Sequence, residues 1–172
     1  MKAFKKQVKE AAAITDKEFT RIAQLYSGTV FRTAMCYVKN SSDADDIMQE
    51  AFLKLYTYSG AFESDSHIKA WLIRITTNLC KNFLRYRRLR IWEPLENARE
   101  LEAPQTEENS LLPLIMKLSG NNRIVLYMHY YEGYSVKEIS ALLKLTETAV
   151  TSQLYRGRKQ LERLMEKEDF YG

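Results

Sequence analysis

An all-α fold, split into two small helical domains, is what this chain of 172 residues predicts. Three observations carry the prediction. Six Gly and three Pro leave little material for hairpin turns, which disfavours a strand-rich protein. Apolar residues recur at helical spacing in two blocks, each opened by capping signals. The composition, 45% hydrophobic and 12% aromatic, can bury a core and is far from a disordered profile. Between the blocks lies EPLENARELEAPQTEENS, with Pro94, Pro104, six acids and few large apolar groups. It reads as a linker over 93–110, dividing a domain at 1–92 from a domain at 111–172.

The elements follow in order. Thr15-Asp16-Lys17-Glu18 has the pattern of a capping box, and Phe19, Ile22, Ala23, Tyr26, Val30 and Ala34 then recur at helical spacing. Lys39 to Ser42 interrupts, and a second helix starts near Ser42 or Asp43. Its acids Asp43, Asp45 and Asp46 fall where the positive end of a helix dipole favours them, and Ile47, Ala51, Phe52 and Leu55 form its apolar stripe. Tyr58 to Ser66 reads as a loop. A long helix follows from about His67 to Arg90, with Trp71, Ile75, Leu79 and Phe83 on its inner side. In the second block Leu111 to Leu118 is a short helix. Asn121 or Asn122 caps the next, which runs to about Tyr131. Ser135-Val136-Lys137-Glu138 is another capping box, opening a helix to Leu143. Lys144-Leu145 is a tight turn, and Thr146 caps a last helix with Val150, Leu154, Leu161 and Leu164 inward.

Charge is unevenly spread. Residues 1–92 hold 16 Lys+Arg against 9 Asp+Glu, residues 93–112 hold 1 against 6, and the remainder 9 against 7. Cys36 and Cys80 sit among apolar neighbours without a CxxC pair, so they read as buried free thiols in a reducing compartment. The N-terminus has no signal-peptide run, and no segment reaches the roughly 18 apolar residues of a membrane span. These features predict a soluble, cytoplasmic protein without membrane insertion.

Two stretches carry nucleic-acid signals. The segment from Ser135 to Lys159 has the helix-turn-helix shape. Its second helix offers Glu147, Thr148, Thr151, Ser152, Tyr155, Arg156 and Lys159 outward, residue types that bond base edges and phosphates. A plain helical hairpin with a solvated face would share this local pattern. On the 67–90 helix, Asn78, Lys81, Asn82, Arg85 and Arg88 share one face. Residues 81–90 hold five bases and no acid, with Phe83, Tyr86 and nearby Trp92 interleaved, which suits a single strand. The acidic helix start suits neither role. Asp43, Asp46 and Glu50 share a face, yet no second cluster completes an oxygen cage, so no metal is expected. What remains is helix-dipole bias or a contact with a basic protein partner, with Gln49 and Leu53 beside it. No nucleophile–base pair, GxxxxGK[ST], GxGxxG or HExxH occurs, so no enzyme and no cofactor are expected.

Three stretches, DADDIMQEAFLKLY, AWLIRITTNLCKNFLR and YYEGYSVKEISALLKLTETAVTSQLYRGRKQL, strongly resemble bacterial RNA polymerase sigma factors of the extracytoplasmic-function type, which keep only regions 2 and 4. The likeness runs from about Phe19 to Leu164, in the family's order. It implies a transcription initiation factor that binds core polymerase, selects promoters and helps melt them. The acidic helix would dock on the clamp helices of the largest subunit through Asp45, Asp46, Gln49, Glu50 and Leu53. The minus-ten element would meet the 59–66 loop, with Ser59, Gly60, Phe62 and Ser64, and the face of Asn78, Lys81, Asn82, Arg85 and Arg88. The minus-thirty-five element would meet Thr148, Thr151, Ser152, Tyr155 and Arg156, with Arg158 on phosphate. The resemblance also implies contact with the polymerase flap, a linker threading toward the RNA exit channel, and an anti-sigma factor. The family often has Asp in place of Asn82, Gly in place of Lys144, Gly-Thr in place of Thr148-Ala149, and Arg in place of Gln153. Two other readings make different predictions. A free-standing dimeric helix-turn-helix regulator would bind a palindrome without polymerase, and a metal-dependent nuclease would use Asp43, Asp46 and Glu50.

Overall fold

The computed structural model describes residues 14–90 and 111–171. The 93–110 linker, Trp92 and the first 13 residues lie outside them. Seven helices are seen among the described residues: α1 Asp16–Val38, α2 Ser41–Tyr56, α3 Asp65–Arg90, α4 Leu112–Lys117, α5 Asn122–Tyr130, α6 Val136–Leu143 and α7 Glu147–Tyr171. No strand occurs among those residues. None of these helices is long and apolar enough to cross a membrane.

Caps explain most boundaries. Thr15 accepts from the Glu18 N–H at 3.2 Å, but the reciprocal half of the expected box is missing. The Glu18 carboxylate is instead taken by Arg21, at 2.7 and 3.1 Å. The Ser135–Glu138 box is complete. Asn40 caps α2 by accepting from the Asp43 N–H at 3.0 Å, so the helix begins at Ser41, ahead of the expected Ser42 or Asp43. The third helix begins at Asp65 rather than His67, because the Ser64 hydroxyl accepts the His67 N–H and Arg21 reaches across from α1 to the Asp65 carboxylate. Neither Asn121 nor Asn122 caps α5 with its side chain, and the Asn122 amide turns to Gln160 on α7. Lys39 and Lys144 close α1 and α6 in the left-handed region, at φ 56° and 54°.

The interior is built in two parts. Ile22, Tyr26 and Val30 of α1, Ala51, Phe52 and Leu55 of α2, and Ile68 and Leu72 of α3 form one cluster. The other joins both halves of the chain: Ala34, Met35, Cys36 and Val38 of α1, with Ile73 and Cys80 of α3, meet Ile115, Leu118, Ile124, Val125 and Met128. This shifts the expected inner side of α3. Its fully buried residues are Ile68, Leu72, Ile73, Thr76, Thr77 and Cys80, while Trp71, Ile75, Leu79 and Phe83 flank them half-buried. The helix is covered from two sides, so its buried face is wider than one apolar stripe. Both cysteines are buried free thiols, and burial pushes the Cys80 thiol up to about 12.

Polar groups stitch the halves together. Arg123 on α5 is only 1% exposed. Its guanidinium donates to the Cys36 carbonyl at the end of α1, at 3.0 Å, and to the Leu118 carbonyl just past α4. Lys69 of α3 pairs with Glu132 at 2.7 Å. The Tyr127 hydroxyl donates to the same carboxylate and accepts from Arg32 of α1. Burial, more than any other influence, pushes the Tyr127 phenol far above its ordinary range.

Candidate functional site

Three surfaces collect the functional residues expected from sequence. The first is the outer side of α2. Asp45, Asp46, Gln49 and Glu50 are all exposed, and Leu53 is 62% exposed. Helical spacing makes this inevitable: Ala44, Ile47, Ala51 and Leu55 are turned into the core, so the intervening positions face out. Glu50 pairs loosely with Lys54 at 3.8 Å, whereas Asp43 turns away to Arg87 on α3 at 3.4 Å. A shallow apolar groove runs between α1 and α2, lined by Phe19, Ala23, Met48, Gln49, Phe52, Leu53 and Tyr56. Phe19 meets Phe52 and Tyr56 edge-on, with centroids 6.2 and 5.3 Å apart. Sequence periodicity puts Phe19 and Phe52 on the apolar stripes of their helices, and one edge of each still lines the groove.

The second surface joins the loop before α3 to the basic end of that helix. Tyr58, Phe62 and Trp71 pack as a ring cluster, with centroids 5.0 to 5.7 Å apart. A Cβ at Gly60 would meet the Tyr58 ring, so a larger residue there must displace that ring. Ser59 and Ser64 are exposed, and Phe62 is half-buried. His67 packs edge-on against Phe62 at 5.3 Å, and its Nδ1 accepts the Glu63 N–H at 3.3 Å. Farther along α3, Asn78 is half-buried while Lys81, Asn82, Arg85 and Arg88 are exposed. Arg85 donates to Asn82 at 3.2 Å, and Lys81 donates to the Leu143 carbonyl at 3.3 Å. Lys81 thus touches the turn between α6 and α7.

The third surface is α6 and α7. In the turn, the Lys144 and Leu145 N–H groups both return to the Ser140 carbonyl, and the Ser140 hydroxyl donates to Leu145 at 2.8 Å. These bonds hold Lys144 in a conformation that Gly takes more readily. Thr146 caps α7 through the Ala149 N–H at 3.1 Å. Thr148, Thr151, Ser152, Tyr155 and Arg156, all exposed, line a shallow open groove with Glu147. Arg158 is exposed one turn beyond, its Nε donating to the Tyr130 hydroxyl at 2.8 Å. Gly157 faces inward, because a Cβ there would strike Leu126. Gln153 is buried rather than on the outward face. The complete Ser135 box holds the Glu138 carboxyl below the usual carboxylate range, first through the Ser135 N–H and then its hydroxyl. Among the described residues no group of three His, Cys, Asp or Glu is arranged to hold a metal ion.

Taken together, the architecture is that of a two-part helical protein whose C-terminal part carries an open helix-turn-helix. The family model for Sigma-70 region 2 matches residues 22–90, and that for Sigma-70 region 4 matches residues 108–161. These matches span most of the chain, which belongs to the sigma-70 family. The Bacillus subtilis ECF RNA polymerase sigma factor SigW is 24% identical, covering 92% of this chain and 95% of that protein. The Escherichia coli ECF RNA polymerase sigma-E factor is 28% identical over 85% of each chain. A probable RNA polymerase sigma factor from Xanthomonas campestris, RfaY, is 27% identical, and there the match spans only 41% of the relative's length. Among solved structures, the sigma factor RpoE of Bartonella quintana, in complex with the anti-sigma factor NepR, aligns over 87% of this chain with a TM-score of 0.66 at 19% identity. CnrH in complex with the cytosolic domain of CnrY aligns over 93% with a TM-score of 0.61 at 21% identity.

Proposed function

We propose that this chain is a transcription initiation factor that binds core RNA polymerase, directs it to particular promoters and assists melting, without catalysis of its own. The carrying observation is the order of the two family matches on one chain, region 2 before region 4. A free-standing dimeric regulator would need the second alone. On this reading the domains are 1–92 and 111–172, joined by 93–110, and the protein works in the cytoplasm.

Each surface then has a partner of fitting chemistry. Asp45, Asp46, Gln49, Glu50 and Leu53 dock on the clamp helices of the largest polymerase subunit, where an acidic rim beside an apolar groove suits a basic, partly apolar helix. The groove adds Phe19, Met48 and Tyr56 to that surface. Ser59, Gly60, Phe62 and Ser64 receive a base flipped from the minus-ten element, beside aromatic rings able to stack. Asn78, Lys81, Asn82, Arg85 and Arg88 follow the strand backbone. Thr148, Thr151, Ser152, Tyr155 and Arg156 read the minus-thirty-five duplex, and Arg158 meets phosphate. The flap of the polymerase and an anti-sigma factor complete the set of partners.

Capture of purified core polymerase tests the reading. Wild-type chain is retained, and the Asp46→Lys, Glu50→Lys double variant loses at least about tenfold in affinity, since two charge reversals at one interface cost several kcal/mol. Both side chains are exposed, so the fold survives. Failure of the wild type to bind polymerase, with DNA bound by the chain alone, would overturn the proposal.

A further inference from the structure

We infer that Tyr130 is a positioning residue for the DNA-backbone contact of Arg158, extending the duplex-facing surface from α7 onto the end of α5. The inference rests on the reading of α7 as the helix that meets the duplex.

On α7, Thr151, Tyr155 and Arg158 recur at i, i+4 and i+7 and so share one face. A free arginine there would sample many rotamers, and fixing them on binding opposes affinity. Here Arg158 is already held. Its Nε donates to the Tyr130 hydroxyl at 2.8 Å, and its guanidinium carbon lies 5.8 Å from the ring centroid. Tyr130 is itself braced from behind. The His129 ring packs edge-on against it at 5.1 Å, and the His129 Nδ1–H donates to the Tyr134 carbonyl at 2.9 Å. That carbonyl belongs to the turn that leads into α6, so the brace links α5 and α7 to the start of α6.

The donor inventory points to a ligand. Arg158 spends one of its five N–H groups on Tyr130, and the four on Nη1 and Nη2 have no partner among the described residues. No carboxylate is paired with it among the described residues. The Tyr130 hydroxyl accepts from Arg158, which leaves its own proton to donate. Tyr130 is 48% exposed, so both groups face water together. A planar guanidinium fork beside a phenolic donor matches the non-bridging oxygens of one backbone phosphodiester. The pair therefore acts on DNA affinity without reading sequence.

Because the contact is to the backbone, a mixed-sequence DNA duplex serves as the probe, and no promoter is needed. Binding of the full chain is measured by fluorescence anisotropy over a salt series for wild type, Arg158→Ala, Tyr130→Phe and the double variant, with circular dichroism melts as the check on folding. Arg158→Ala should lower the slope of log affinity against log salt by about 0.9, the value for one B-DNA phosphate. Tyr130→Phe keeps the ring and should weaken binding about three- to tenfold, with no further loss in the double variant, as coupled residues behave. If Arg158→Ala weakens binding and Tyr130→Phe does not, the positioning role is overturned while the reading of α7 stands. If the two losses add, Tyr130 acts independently and the role is likewise overturned. If Arg158→Ala changes nothing, the phosphate assignment of Arg158 fails, and the inference fails with it.

Discussion

The basic end of α3 and the outer face of α7 are offered as two nucleic-acid surfaces, yet they stand differently in the fold. On α3 the charged groups are partly engaged inside the molecule. Lys81 reaches the Leu143 carbonyl, Arg87 pairs with Asp43, and Arg90 lies over the Tyr86 ring at 4.7 Å. On α7, Thr148, Ser152, Tyr155 and Arg156 line an open groove. The difference comes from packing. The face of α3 next to its bases, with Ile73 and Cys80, receives the C-terminal half, whereas α7 buries only the side that meets α5, α6 and α4. A side chain suited to phosphate is equally suited to a backbone carbonyl or a carboxylate, and neighbouring structure decides which it meets.

The largest expected effect comes from breaking what holds α1 against the C-terminal half. Arg123→Ala removes a fully buried side chain and strands the Cys36 and Leu118 carbonyls. It should destabilise the chain by about 3–5 kcal/mol in denaturant unfolding, the range for cavity formation plus unpaired buried polar groups. Cys36, buried in the same interface, should then react faster with a thiol reagent, and an unchanged rate would show that the halves stay joined by other contacts.

The two capping motifs give a smaller, paired effect. Ser135→Ala should cost about 1 kcal/mol of thermal stability, and Thr15→Ala less, because only Ser135 stands in a reciprocal box. The box is also pH-dependent. Its hydrogen bonds depress the folded-state pKa of Glu138, so the unfolded chain takes up the proton first as pH falls. The stabilisation is complete above the ordinary glutamate pKa and is lost as pH drops through the lower folded value. Glu18 and Asp65, both lowered first by their hydrogen bonds to Arg21, behave alike in the N-terminal half. Melting temperature should therefore fall on acidification, and Glu138→Gln should flatten that dependence.

The smallest effect concerns the turn that touches α3. Lys144→Gly should stabilise by up to about 1 kcal/mol, the about 1–2 kcal/mol cost of a left-handed non-Gly residue less the about 0.4–1 kcal/mol of added unfolded-chain entropy, since φ of 54° suits Gly better than Lys. A destabilisation on melting would mean that Lys144 makes a contact worth more than its backbone strain.

These features were unequally legible in the sequence. Thr15, Ser135 and Thr146 announced helix starts, because a cap is written within four residues of its own partner. The outward set on α7 was legible for the same reason: Val150, Leu154 and Leu161 define the inner side. The start of α3 was missed because the tie from Arg21 to Asp65 spans 44 positions. The docking of the halves was invisible, since Arg123, Glu132 and Lys69 read as ordinary surface charges until their partners are known. Gln153, where the family often has Arg, lies outside that outward set and is buried although polar.

Arg123 has one more consequence. The last turn of α1 is finished by a guanidinium 87 positions downstream. A fragment cut after α3 would lack that cation, leaving the Cys36 carbonyl to solvent and baring Ala34, Met35 and Ile73. The first half of this chain is complete as a unit of sequence, but its surface is completed only by the second.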